Sequence, residues 1–242
     1  MKFILLCCIF WLSVISALGS TAKEVSYKSG DETVHSILYT PDGKGAQPGI
    51  IVIHEWWGLN DWVKEQASKL ADQGYVALAI DLYRGKVATT ANEAHEFMGG
   101  VPQERAARDL QAAFDYLQSR PNVKKDRIGA IGWCMGGGYS LQLALNQPKL
   151  AADVVNYGVA DYASLAKDTS AIAKLNAPIL GIYGEQDRGI PTDEVKAFAE
   201  QVDKAGKKMD VAIYPDAGHF LRIPITRKDI VRRTQLMRGT KP

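Results

Sequence analysis

Cys134 stands in the stretch GWCMGGG, residues 132–138, with Gly132 two positions before it and Gly136 two positions after. Glycine at both places suits a sharp strand-to-helix turn, where the chain passes so close on each side that a Cβ would clash. Such a turn lifts its central side chain above the sheet and sets it at a helix N-terminus. There, unpaired N–H groups and a partial positive charge favour a thiolate and a developing oxyanion. The pattern marks Cys134 as a nucleophile, with the N–H of Met135 as one oxyanion donor. The plainer reading is a glycine-rich turn around a small buried thiol.

A thiol nucleophile needs a base, and the base needs a group to orient it. Of the four histidines, His35 and His95 fall away from strand ends, and His54 sits inside an apolar strand, as a core histidine would. His219 follows the run MDVAIY through PDAGH, which places it on a loop at a strand end. Asp187 closes YGEQD just after another apolar run, with Glu185 as the competing acid in the same loop. The order Cys134, Asp187, His219 is that of an α/β-hydrolase nucleophile, acid and base. Glu55, in HEWWGLN (54–60), ends a further apolar run. Near the turn its carboxylate would hold the thiol protonated or help move its proton. Alternatively it serves as a salt-bridge or helix-start charge. The N–H of Trp56 is placed to complete an oxyanion hole.

These residues need a scaffold that brings strand ends together. Six segments read as strands: 49–55, 75–80, 127–133, 151–157, 178–184 and 209–214. Most are apolar throughout, as expected of a parallel sheet covered on both faces. Helical patterns lie between them. Asn60 caps one whose Trp62, Val63, Ala67 and Leu70 share one face, and which stops at Gly74. Pro102 opens a second that buries Ala106, Leu110, Ala113, Phe114 and Leu117. Thr192 caps a third that buries Val195, Phe198, Ala199 and Val202 and stops at Gly206. The alternation predicts a doubly wound, mostly parallel α/β domain with helices on both faces, whose ligands bind beyond the carboxyl ends of the strands.

The 242-residue chain is 46% hydrophobic and carries a net charge of +2, enough for one substantial core and too balanced to suggest nucleic acid. Lys2, the apolar run FILLCCIFWLSVISALG and the small residues Ser20, Thr21 and Ala22 read as a signal peptide over 1–22, cut after Gly19 or Ala22. The run is short for a comfortable membrane span of about 20 apolar residues. Cleavage would remove Cys7 and Cys8, leaving Cys134 as the one thiol of an exported, periplasmic or secreted single domain over 23–242. No clustered metal ligands or dinucleotide fingerprint appear, so neither metal nor organic cofactor is expected. The basic tail RKDIVRRTQLMRGTKP reads as a solvated helix face.

Five separated stretches, HEWWGLN, AIDLYRGK, IGAIGWCMGGG, YGEQD and YPDAGHF, resemble in order and spacing the dienelactone hydrolase family of α/β-hydrolases, from about residue 24 to about residue 220. The resemblance implies an α/β-hydrolase fold, Cys134 as nucleophile, Asp187 and His219 as acid and base, and Glu55 as the glutamate that meets the thiol before substrate binds. It puts the oxyanion donors on the backbone of Trp56 and Met135, and makes Arg84 and Trp57 candidates for holding substrate. The family's substrate-carboxylate arginines are matched here one residue out of place, by Arg84 and Arg222. The expected activity is hydrolysis of a small carboxylic ester or lactone by a monomer free of the membrane once its leader is cut. Because family members that act on dienelactone work inside the cell, the leader points to another ester or lactone. A thioesterase using the same residues, or a non-hydrolytic binding or thiol-redox protein on this scaffold, are the alternatives.

Overall fold

The structure is a computed structural model, and it describes residues 20–219. The signal-peptide run, the basic tail and Arg222 therefore lie outside the described residues, apart from the leader's last three positions.

Among the described residues, eight strands form one sheet in the order β1-β2-β4-β3-β5-β6-β7-β8. β1 (Thr21–Ser29) and β2 (Glu32–Thr40) make an antiparallel hairpin. β2 joins β4 (Val76–Ile80) antiparallel, and from β4 onward every pairing is parallel. β3 (Gln47–Ile53), β5 (Val123–Trp133), β6 (Ala152–Asn156), β7 (Ile179–Gly184) and β8 (Met209–Tyr214) complete the sheet. The central strands are buried end to end, with Ile50–Ile53 and Val76–Ile80 almost wholly out of water. That is the burial expected of apolar strands covered on both faces.

α1 (Asp61–Asp72) begins where Asn60 accepts a hydrogen bond from the N–H of Val63, and α3 (Gln103–Ser119) begins after Pro102. α4 (Met135–Asn146) springs from β5, and α7 (Thr192–Lys204) precedes β8. At α7 the cap position is Pro191, and Thr192 is already helical. A proline there needs no N–H partner, and its fixed φ leads into the helix. Three further helices fill connections that show little apolar periodicity: α2 (Ala91–Gly99), α5 (Tyr162–Leu165) and α6 (Thr169–Lys174). α2 opens with a reciprocal box in which Thr90 caps the N–H of Glu93 and the Glu93 carboxylate reaches back to Thr90.

The strand order reverses direction at β3. Its chain crosses to β4 on one side, and β5 then lies on the other. This is the topological switch point, where open α/β sheets form their crevice. The loops beyond β3 and β5 meet there, because Ile53 is the register partner of Gly132.

Candidate active site

At the end of β5 the chain turns through Cys134 with φ 53° and ψ −120°, a conformation that costs an L-residue energy and persists only when its surroundings enforce it. The enforcement is visible on every side. A Cβ on Gly132 would collide with the carbonyl of Gly136, and one on Gly136 would collide with the carbonyls of Ile53 and His54. The N–H of Cys134 donates to the carbonyl of Asn156 at 3.0 Å. Its carbonyl accepts from the N–H groups of Gly138 and Val159 at 3.1 and 3.0 Å. Asn156 also donates through Nδ2 to the Gly132 carbonyl at 2.9 Å, so its backbone and side chain together hold the chain entering the turn.

The thiol faces a line of two further groups. His219 Nε2 lies 3.1 Å from Cys134 Sγ, and His219 Nδ1 lies 2.6 Å from Asp187 Oδ2. Asp187 has only its carboxylate to offer, so Nδ1–H donates to it and Nε2 is left to accept from the thiol. The other oxygen, Asp187 Oδ1, accepts from the N–H of Gly189 at 2.9 Å, which fixes the carboxylate in place. Glu185, the rival acid, is exposed, whereas Asp187 is buried.

Burial pushes the Cys134 thiol up to about 12, and the negative charges of Glu55 and Asp187 push the same way. The main-chain N–H groups of Met135 and Trp56 act on the sulfur in the opposite sense. Two backbone donors from the ends of β5 and β3 thus converge on one point, the arrangement an oxyanion requires. Tyr83 ties them together: its hydroxyl donates to the Trp56 carbonyl at 3.0 Å and lies 3.3 Å from Met135 Sδ.

Glu55 is 8% exposed, and its Oε1 accepts a hydrogen bond from the hydroxyl of Tyr157 at 2.9 Å. Tyr157 follows β6 with φ 35°, and its ring stands edge-on to His219 with centroids 5.3 Å apart. It therefore touches both the carboxylate and the imidazole that flank the sulfur. Asn156 and Tyr157 escape a sequence reading that ends a strand at 157. The available signal is polar groups at the carboxyl end of a fully apolar strand.

His54 is buried and neutral, because burial holds its pKa down. Both ring nitrogens are used: Nδ1–H donates to the Glu55 carbonyl at 2.6 Å, and Nε2 accepts from the N–H of Leu82 at 3.1 Å. It is a core histidine that fixes the backbone carrying Glu55. Trp57 packs its ring edge-on against Trp56, with centroids 5.2 Å apart.

Arg84 departs from its expected role as a substrate anchor. Its guanidinium pairs with Glu32 of β2 at 2.7 Å and with Asp109 of α3 at 2.8 Å, and donates to the Asp81 carbonyl. Those partners draw the side chain toward the hairpin and α3, where it joins elements of the fold. Among the described residues no group of three or more His, Cys, Asp or Glu side chains is placed to hold a metal ion. Likewise, no described helix is long and apolar enough to cross a membrane.

A parallel sheet with a nucleophile elbow after one strand, and an acid and a histidine after later strands, defines an α/β-hydrolase. The model of the dienelactone hydrolase family matches residues 34–224, and the chain belongs to that family of hydrolases. It is 34% identical over 217 residues to a "Putative carboxymethylenebutenolidase" of Methylorubrum extorquens, covering 84% of this chain and 73% of that one. It is 30% identical over 203 residues to a "Probable 2-oxo-3-(5-oxofuran-2-ylidene)propanoate lactonase" of a Bradyrhizobium species, covering 81% and 82%. Among solved structures, a "Putative Dienelactone Hydrolase" of Klebsiella pneumoniae superposes with a TM-score of 0.77 at 26% identity, covering 92% of this chain and 99% of that one.

Proposed function

We propose that the protein hydrolyses a small carboxylic ester or lactone through a Cys134–His219–Asp187 triad. The observation that carries this reading is the unbroken line from sulfur to carboxylate, 3.1 Å to Nε2 and 2.6 Å from Nδ1.

In the resting state the two carboxylates and the apolar surroundings keep sulfur protonated. As Sγ attacks the carbonyl carbon, its proton passes to Nε2, and Asp187 stabilises the imidazolium that forms. The carbonyl oxygen takes the negative charge and is held by the N–H groups of Met135 and Trp56. Collapse breaks the bond to the alkoxy oxygen, which leaves with the proton from Nε2. Water then attacks the thioester, gives its proton to Nε2 and releases the carboxylic acid, and the departing sulfur recovers the proton.

A thioester substrate would follow the same steps with a thiol, in place of the alcohol, leaving with the proton from Nε2. Redox service suits this thiol poorly, since thiolate character drives oxidation and the sulfur is buried with its pKa at about 12. The leader sequence supports export. β1 is paired from Thr21, so cleavage after Gly19 leaves that strand whole, whereas cleavage after Ala22 would remove two ladder residues. We also propose a monomer, which size-exclusion chromatography of the mature chain tests directly.

Cys134→Ala should lose turnover of p-nitrophenyl acetate while keeping the wild-type circular dichroism spectrum. The wild-type protein, quenched during turnover, should carry an acetyl group on Cys134 by mass spectrometry. Full activity in the alanine variant would overturn the assignment.

A further inference from the structure

Two side chains outside the triad, His54 and Tyr83, send their hydrogen bonds to one short stretch of backbone beside the sulfur. His54 is fully buried. Its Nε2 faces the N–H of Leu82, which can only donate, so Nε2 carries no hydrogen. Nδ1 therefore holds the proton of the neutral ring and donates it to the Glu55 carbonyl at 2.6 Å. The N–H of Gly58 reaches the same oxygen at 3.1 Å. Tyr83 stands edge-on to the His54 ring, with centroids 4.7 Å apart, and its hydroxyl donates to the next carbonyl, that of Trp56, at 3.0 Å.

The Glu55 carbonyl belongs to the peptide unit whose N–H is that of Trp56. This peptide is trans, so its C=O and N–H point in opposite directions. Holding the oxygen toward His54 aims the hydrogen the other way, at the sulfur of Cys134, on which this N–H acts. The Trp56 carbonyl belongs to the following unit, so His54 and Tyr83 together fix the peptide planes on both sides of the Trp56 Cα. A carbonyl that accepts a hydrogen bond in a buried site also polarises its own N–H, which then donates more strongly.

The holders are themselves held. Asp81 accepts from the N–H of Tyr83 at 2.8 Å and from that of Gly85, which closes the turn that carries Leu82 and Tyr83. Leu82 in turn sets the orientation and tautomer of the imidazole. A contiguous run thus leads from the turn after β4, through His54, to the oxyanion donor after β3. None of its members belongs to the triad.

Resting on the hydrolase reading above, we propose that His54 is a positioning residue of the oxyanion hole. Its Nδ1–H orients the peptide whose N–H holds the carbonyl oxygen in the transition state, and Tyr83 steadies the peptide that follows. Loss of a whole oxyanion donor costs about 10²- to 10³-fold in kcat. Without His54 Nδ1–H the donor remains but loses its alignment, so a loss of about 10- to 100-fold is expected.

The test compares two reactions of the same thiol in the whole mature chain. p-Nitrophenyl acetate acylates Cys134 through a tetrahedral oxyanion, whereas iodoacetamide alkylates it by displacing iodide and forms no oxyanion. A change in thiol acidity or access touches both and largely cancels in the ratio of their rates. Glutamine and asparagine divide the two tasks of the histidine, because the Gln amide oxygen reaches as far as Nε2 and the Asn amide nitrogen as far as Nδ1. His54→Gln keeps an acceptor for Leu82 but loses the donor to Glu55, and should lower the acylation-to-alkylation ratio about 10- to 100-fold. His54→Asn keeps the donor and should recover most of that loss. Tyr83→Phe removes one hydroxyl from an unchanged ring and should lower the ratio about three- to tenfold, with KM for the ester unchanged. An unmoved ratio in His54→Gln, acylation and alkylation falling together in it, or an equal loss in His54→Asn overturns the proposal. If neither His54 variant folds, Tyr83→Phe decides, and an unmoved ratio there overturns it. Where wild-type Cys134 is acylated but the variants keep its ratio, the positioning role alone fails. If p-nitrophenyl acetate never acylates the wild-type Cys134, the hydrolase reading fails with it.

Discussion

Glu55→Gln isolates what the buried carboxylate does to the sulfur. The amide keeps the size of the side chain and an oxygen to accept from Tyr157, but removes the charge that helps push the thiol up. With a pKa of about 12, roughly one thiol in ten thousand is ionised at pH 8. Removing a neighbouring like charge lowers such a pKa by about one to two units, which raises the ionised fraction about ten- to a hundredfold. Burial, the larger cause, remains, so the variant thiol stays less acidic than a free one. A less basic thiolate is also a weaker nucleophile, with a Brønsted slope of about 0.4–0.5. The net gain in alkylation rate at pH 8 is therefore about three- to tenfold. Iodoacetamide labelling of Cys134, followed by intact mass from pH 6 to 11, measures it, and the rate profile should move toward lower pH. An unshifted or slower profile in a variant with native circular dichroism would show that the Glu55 charge does not govern the thiol.

Two other perturbations test separate parts of the molecule. Asp187→Asn loses the charge that stabilises the imidazolium and should lower kcat for acetyl esters by about 10²- to 10⁴-fold, with KM little changed. Comparable loss in KM alone would argue against the relay. Burial raises Asp153 to about 8, so the folded state holds a proton there that the unfolded chain releases near pH 4. That contribution to stability is full below about pH 4, and it is lost as pH rises toward 8, at up to about 1.4 kcal/mol per pH unit. Urea midpoints at pH 5 and pH 7.5 should show Asp153→Asn removing this slope, and an unchanged slope would place its origin elsewhere.

Much of the scaffold was legible because its strands are apolar on both faces. The runs at 127–133 and 209–214 end where β5 and β8 end, and Asn60 and Pro102 cap where their chemistry suggests. The β1–β2 hairpin was not legible. β1 is largely exposed, so its residues alternate weakly and read as polar chain. α2 announced itself only through Thr90 and Glu93, a cap signal without a strong apolar stripe. At the site, glycine spacing pointed to Cys134, and strand-end position pointed to Asp187 and His219. Arg84 shows the limit of local reading. Its partners Glu32 and Asp109 lie 52 and 25 residues away, and one of them belongs to the unread hairpin. Tyr157 and Asn156 were hidden for a related reason, since their partners Glu55 and Gly132 become neighbours only when β3, β5 and β6 lie side by side.

Cys134 and His219 are 85 positions apart, and the pieces between and around them hang from the tips of five adjoining strands. A growing chain on the ribosome therefore carries its sulfur long before it owns a base. Until residue 219 has emerged and β8 has docked, the proposed base is not within reach of the sulfur. On the proposed triad, turnover begins only once β8 is in place, whereas the thiol of an unfinished chain, not yet buried, ionises more readily than the folded one.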